Sequence, residues 1–135
     1  MKILYTAHAT TISGRNGYSE TDDKQLSVKL SAPGSNKPGT NPEQLFAAGY
    51  SACFGSAVEG VAKKHKIAIS EIKVQAAVNL NQDDDGGYFI SVILDVTLPG
   101  VDDETAKKII DQAHEGCPYS KATRGNIDVI LNIKK

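Results

Sequence analysis

The sequence predicts an α+β fold, with antiparallel β-sheet in two groups wrapped about one buried central helix. Three observations carry this. Segments in which apolar residues alternate lie toward both ends of the chain, separated by turns rich in Gly, Asn and Asp. Between them, from Gln44 to about His65, runs a stretch of Ala, Gly, Ser, Phe, Tyr and Val with no charge between Glu43 and Glu59. A second, amphipathic helical pattern follows Asp102. The 135 residues fit one domain, 1–135, large enough to need no metal or disulfide staple.

Each element has a local reason. Residues 2–10 alternate like a strand, and Ser13-Gly14-Arg15-Asn16-Gly17 is a turn. A second strand follows near Tyr18, and a third spans 25–31 with Leu26, Val28 and Leu30 on one face. Residues 32–40, rich in Pro, Gly and Ser, form a loop. Asn41-Pro42-Glu43 starts a helix: Asn can cap it, Pro suits its first turn, and Glu faces the positive end of its dipole. Apolar and small residues on every side predict that this helix is buried all round, with a break near Gly49. A hairpin follows: Ile72 to Leu80 alternate, Asp83 to Gly87 turn, and 88–98 return. Asp102-Asp103 opens a helix with Ala106, Ile109, Ile110 and Ala113 on one stripe, ending at Gly116. Cys117 caps and Pro118 begins a short helix through Arg124, and 126–134 form the last strand.

Composition narrows the function. A net charge of −1, with scattered lysines, offers no field to recruit nucleic acid or an anionic membrane. The N-terminus lacks the apolar block of a signal peptide, and no apolar run approaches the roughly 20 residues of a membrane span. These features place the protein in the cytoplasm, where two cysteines are expected to be reduced and reactive rather than a permanent bridge.

Those cysteines, Cys53 and Cys117, stand 64 positions apart. Alone, Cys53 also reads as a small buried hydrophobe, and Cys117 as the cap of a short helix. Together they suit a cycle in which one thiolate is oxidised to a sulfenic acid and the other condenses with it as a disulfide. Arg15 and Arg124 are the only arginines in a chain that otherwise uses lysine. A thiol among Ala, Phe and Val resists ionisation unless a fixed positive charge offsets its desolvation. Arg15 can supply that charge, and Glu43, at the head of the helix carrying Cys53, can hold it in place. The alternative is a solvated turn arginine and a Glu serving the helix dipole. Arg124 is expected to tie down the short final helix. His8, His65 and His114 lack zinc spacing, the Asp83 to Gly87 turn lacks the later Glu of a calcium loop, and nothing in the sequence pairs Ser120 with a His or Asp.

The segments GTNPEQLFAAGYSACFGSA (39–57) and GCPYSKATRGNIDV (116–129) resemble the two signature stretches of the organic hydroperoxide resistance family, within the wider Ohr/OsmC superfamily. The opening YTAHATTISGRNG (5–17) is similar to that family's N-terminal strand and arginine turn. The resemblance implies an OsmC/Ohr-like fold assembled as an intertwined homodimer with sites at the subunit interface. It implies that Cys53 attacks the hydroperoxide, Cys117 resolves the sulfenic acid as a Cys53–Cys117 disulfide, and Arg15 with Glu43 orients the peroxide and holds the thiolate. It further implies organic hydroperoxides as substrates, a lipoyl-bearing protein or other dithiol as reductant, and no metal or cofactor. Phe46 and Phe54 are expected to line the substrate site, where an alkyl chain gains roughly 0.8 kcal/mol per buried CH₂. Loop 32–40 is shorter than the family pattern leads one to expect, which bears on pocket shape. An OsmC-type peroxidase of broader specificity and a non-enzymatic thiol redox sensor are the alternatives.

Overall fold

Turn chemistry sets the topology of the chain, described over residues 1–135 in a computed structural model. The residues form two compact units, Met1–Leu45 and Phe46–Lys135.

In the first unit, β1 (Ala9–Ile12), β2 (Tyr18–Thr21) and β3 (Ser27–Lys29) make an antiparallel sheet in that order. Ala9 stands opposite Thr21, and Tyr18 opposite Lys29. Between β1 and β2, Gly14–Asn16 is a turn of 3₁₀ helix entered through Ser13 and Gly14 at φ 66 and 54. Gly17 closes the turn so tightly that a Cβ there would meet the Ile12 carbonyl oxygen at 1.6 Å. The first strand begins at Ala9, not at residue 2. The chain turns away after Thr21, where the Asp23 carboxylate accepts from the Gln25 N–H and the Thr21 hydroxyl. No β2 residue therefore extends opposite the first seven positions, and Ile3, Leu4 and Tyr5 stand exposed. The third strand is likewise shorter than 25–31, though Leu30 is buried as its alternation requires.

In the second unit, β4 (Lys73–Gln82), β5 (Tyr88–Thr97) and β6 (Val129–Lys134) form a sheet in that order. β4 and β5 are the expected hairpin. Asp83 accepts from the N–H groups of Asp85 and Gly87, and Gly86 takes φ 85. β6, however, runs parallel to β5, with Val92 opposite Val129, so the sheet is not wholly antiparallel. The reason lies in the connection. α2 (Asp103–Gly116) and α3 (Pro118–Thr123) fill it, and a helical crossover returns the chain in the same direction. The Asp102 side chain caps α2 by accepting from the Thr105 N–H at 3.0 Å.

The long helix α1 (Pro42–Lys64) starts at the end of the first unit and continues through the second. It is unbroken at Gly49. Nor is it buried all round: Tyr50, Phe54, Val58 and Ala62, every fourth residue, form one buried stripe. That stripe packs with Val92, Leu94 and Val96 of β5 and Ile109, Ile110 and Ala113 of α2. At 23 residues α1 is long and apolar enough to cross a membrane by length and composition, which corrects the reading that no such run exists. Its stripe serves instead as the spine of a core, the role such helices commonly play in a folded domain.

The register of β5 can be checked directly. Leu94→Ala should cost about 2–5 kcal/mol by leaving a core cavity, whereas Leu80→Ala, at a half-exposed β4 position, should cost much less. Denaturant midpoints measure both, and equal losses would contradict this facing.

Candidate active site

The first unit prepares a fixed cation. The strained turn places Arg15, and the first turn of α1 places Glu43. The helix start forms as its residues dictate: Asn41 Oδ1 accepts from the Gln44 N–H at 2.9 Å, leaving Glu43 free to face Arg15. The pair is bidentate, with Nη1 donating to Oε2 at 2.8 Å and Nη2 to Oε1 at 2.6 Å. That fork is available to Arg and not to Lys. The hydrogen bonds from Arg15 hold the Glu43 carboxyl below the usual glutamate range, against the smaller opposing effect of burial. Glu43 in turn raises the already high pKa of the guanidinium.

The second unit brings the two thiols together. Cys53 lies mid-way along α1, and Cys117 is the single extended residue between α2 and α3, at φ −63 and ψ 125. Its N–H donates to the Ala113 carbonyl at 2.8 Å, ending α2, and its carbonyl accepts from the Lys121 N–H at 2.9 Å, starting α3. The thiol of Cys117 donates toward Cys53 Sγ at 3.5 Å. Both cysteines are free, Cys53 half-buried and Cys117 fully buried. Burial pushes the Cys53 thiol up and the neighbouring Cys117 adds to this, while the Tyr119 backbone N–H pulls it down.

Around the thiols, α1 and α3 meet through aromatic rings. Tyr119 packs against Phe46 and Tyr50, with ring centroids 5.9 and 5.6 Å apart. Gly49 makes the approach possible, since a Cβ there would meet the Tyr119 hydroxyl at 2.6 Å. The glycine read as a helix break is thus a seat for a ring. A cavity of about 450 Å³ opens beside this cluster, walled mainly by Phe46, Ile90, Pro118, Tyr119, Ala122 and Ile127. Phe54 does not line it: with no exposed surface, Phe54 belongs to the core stripe of α1.

Sequence reasoning missed a polar network one helical turn from the thiols. Ser120 Oγ lies 2.8 Å from the Tyr50 hydroxyl and 2.9 Å from His114 Nδ1, and the Tyr50 hydroxyl lies 3.2 Å from Thr123 Oγ1. Burial, then the charge of Arg124, hold the His114 imidazole below its ordinary pKa. Arg124 donates from Nη1 to the His114 carbonyl at 2.9 Å, so it secures the end of α2 as well as the helix it follows. Only the spacing of His114 and Ser120 around a Gly-Cys-Pro break could have hinted at their meeting.

The OsmC-like protein family model matches residues 34–132, most of the chain and both cysteines. The chain belongs to that family. Within it, the chain is 47% identical to the organic hydroperoxide resistance protein of Xanthomonas axonopodis pv. citri, over 98% of this chain and 96% of that one. It is 49% identical to the organic hydroperoxide resistance protein OhrB of Bacillus subtilis, over 97% of this chain and 98% of that one. The crystal structure of OhrB superposes with a TM-score of 0.93, covering 98% of this chain and all of that one. The chain is therefore a member of the organic hydroperoxide resistance branch of the OsmC-like family, with that branch's α+β fold.

The Arg15–Glu43 pair carries a pH dependence of known sign. Because the folded carboxyl titrates below the unfolded one, the pair stabilises fully above the ordinary glutamate pKa of about 4.3, and this is lost as pH falls through the lowered value. Glu43→Gln should therefore lower the melting temperature at neutral pH, with the difference from wild type closing under acid conditions. A difference independent of pH would refute the ionic character of the pair.

Proposed function

We propose that the protein is a thiol-dependent peroxidase that reduces organic hydroperoxides to alcohols. The observation that carries this is the approach of two free thiols, Cys53 and Cys117, to 3.5 Å in a chain that belongs to the organic hydroperoxide resistance branch of the OsmC-like family. In the first step the Cys53 thiolate attacks the distal peroxide oxygen. The S–O bond forms, the O–O bond breaks, and the alkoxide takes a proton to leave as the alcohol. In the second step Cys117 attacks the sulfenic sulfur. The S–S bond forms, and the hydroxyl departs as water with the thiol proton. A dithiol reductant, for which we propose a dihydrolipoyl group, then returns two electrons and is itself oxidised to a disulfide.

The first step needs Cys53 ionised, yet burial and Cys117 both push its thiol up. A fixed cation is the remedy, and in this reading the guanidinium of Arg15, oriented by Glu43, stabilises the thiolate and the departing alkoxide. The apolar cavity bounded by Phe46 and Tyr119 suits an alkyl chain, each buried CH₂ adding roughly 0.8 kcal/mol that hydrogen peroxide cannot gain. Exposed Ile3, Leu4, Tyr5 and Ile12 support a homodimer in which a second copy covers them.

A coupled assay decides the function. Cumene hydroperoxide with dihydrolipoamide should be turned over many times and faster than hydrogen peroxide, and faster than with thioredoxin or glutathione. Consumption of a single equivalent would indicate a redox sensor instead. Cys53→Ser should abolish turnover, and Cys117→Ser should permit one oxidation of Cys53 without a disulfide. Arg15→Ala should slow the first step at neutral pH, with the rate recovering in alkali as Cys53 ionises unaided. A normal neutral rate would remove Arg15 from the mechanism.

A further inference from the structure

We propose that Tyr50, Ser120 and His114 are positioning residues for the resolving step: Tyr50 pins α3 to α1, and His114 pins it to α2, so that Cys117 faces Cys53. The inference rests on the two-thiol reading above and extends it from the sulfur atoms to what holds them in register. Tyr50 lies three residues before Cys53 on α1, and Ser120 three residues after Cys117 on α3. Their hydroxyls meet at 2.8 Å while the sulfurs meet at 3.5 Å. The same two helices are thus joined at two neighbouring turns, once by hydroxyls and once by thiols.

α3 has only six residues, too few to be stable as a helix in isolation, so its placement depends on tertiary anchors. Those anchors are the Ser120 hydroxyl to Tyr50 and His114, the Thr123 hydroxyl to Tyr50, and Arg124 to the His114 carbonyl. Tyr50 and Ser120 have no exposed surface, and Thr123 is nearly buried. No buried side-chain polar atom is left without a partner. Buried hydroxyls are a costly way merely to fill space, since apolar side chains pack there without needing partners. A satisfied hydroxyl network specifies one geometry, which apolar packing does less sharply.

Register matters because the sulfenic acid has two fates. Cys117 can close on it, shortening the sulfur separation from 3.5 Å to the roughly 2.05 Å of a disulfide. Alternatively, a second hydroperoxide can oxidise it: the peroxide O–O bond breaks, one oxygen joins sulfur to give the sulfinic acid, and the alcohol leaves. The sulfinic acid is irreversible for most thiol proteins. The network therefore sets the ratio of disulfide to sulfinic acid, and so how much hydroperoxide the protein survives.

The test is that ratio, read by mass spectrometry after a pulse of excess cumene hydroperoxide without reductant. Both products arise from the same sulfenic acid, so their ratio is independent of the first step's rate. Ser120→Ala, and Tyr50→Phe, which keeps the ring, should each raise the sulfinic share about tenfold, the effect of losing a buried hydrogen bond. Leu30→Ala, destabilised in the first unit and outside the core that Tyr50 and Cys117 share, should partition like wild type. Wild-type partitioning in both network variants would overturn the proposal and leave the two-thiol reading standing, and so would an equal rise in Leu30→Ala. If Ser120→Ala fails to fold, Tyr50→Phe decides. Failure of the wild type to form any Cys53–Cys117 disulfide would sink both.

Discussion

One extended residue governs the second unit. Cys117 ends α2 with its N–H and starts α3 with its carbonyl, so two helices turn about a single backbone position. Gly116 and Pro118 flank it, one favouring the stop and the other the restart. Because that residue also carries a thiol, the geometry that reverses the chain aims the sulfur at α1. The surrounding features follow from the need to keep α3 there. Gly49 admits the Tyr119 ring, the ring stacks on Phe46 and Tyr50, and hydroxyls fill what the rings leave.

The electrostatic demand is separate and opposite in character. Packing the thiols among apolar side chains brings them together but disfavours ionisation of Cys53, while reaction with a peroxide requires the thiolate. In the proposed reaction an apolar substrate site and an ionised nucleophile would conflict unless a charge were supplied whose position does not depend on solvent. A bidentate arginine in a turn that tolerates little else at Gly17 has that property. Lysine could carry the charge but would not hold it in one direction.

The sequence made the element order and the motif residues legible because both are local. Alternation marked β4 and β5, caps marked α1 and α2, and Cys117-Pro118 marked the restart of the helix. Pairing is not local, and there the reading fell short. The parallel placement of β6 depends on the crossover through α2 and α3, and the late start of β1 depends on where β2 turns away. Side-chain facing at the site was equally hidden. Phe46 and Phe54 share a helix and a residue type, yet Phe54 falls on the core stripe and Phe46 at the cavity. Ser120 showed no partner because its partners sit across a helix break and on a helix 70 positions earlier.

The apolar character of α1 predicts burial on every side, whereas one stripe suffices for the core of a single chain. The rest of the helix divides between uses. Phe46 and Gly49 serve the contact with Tyr119, and Cys53 sits half-buried at the thiol pair. Small residues such as Ser51, Ala52, Gly55 and Ser56 border a shallow groove with Ile72 and Val74 of the β4 region. A charge on any of these faces would disturb one of them: the core, the aromatic seat or the ionisation of Cys53. The uncharged run from Gln44 to Val58 is the joint solution, which explains why hydropathy alone overstates the burial of this helix.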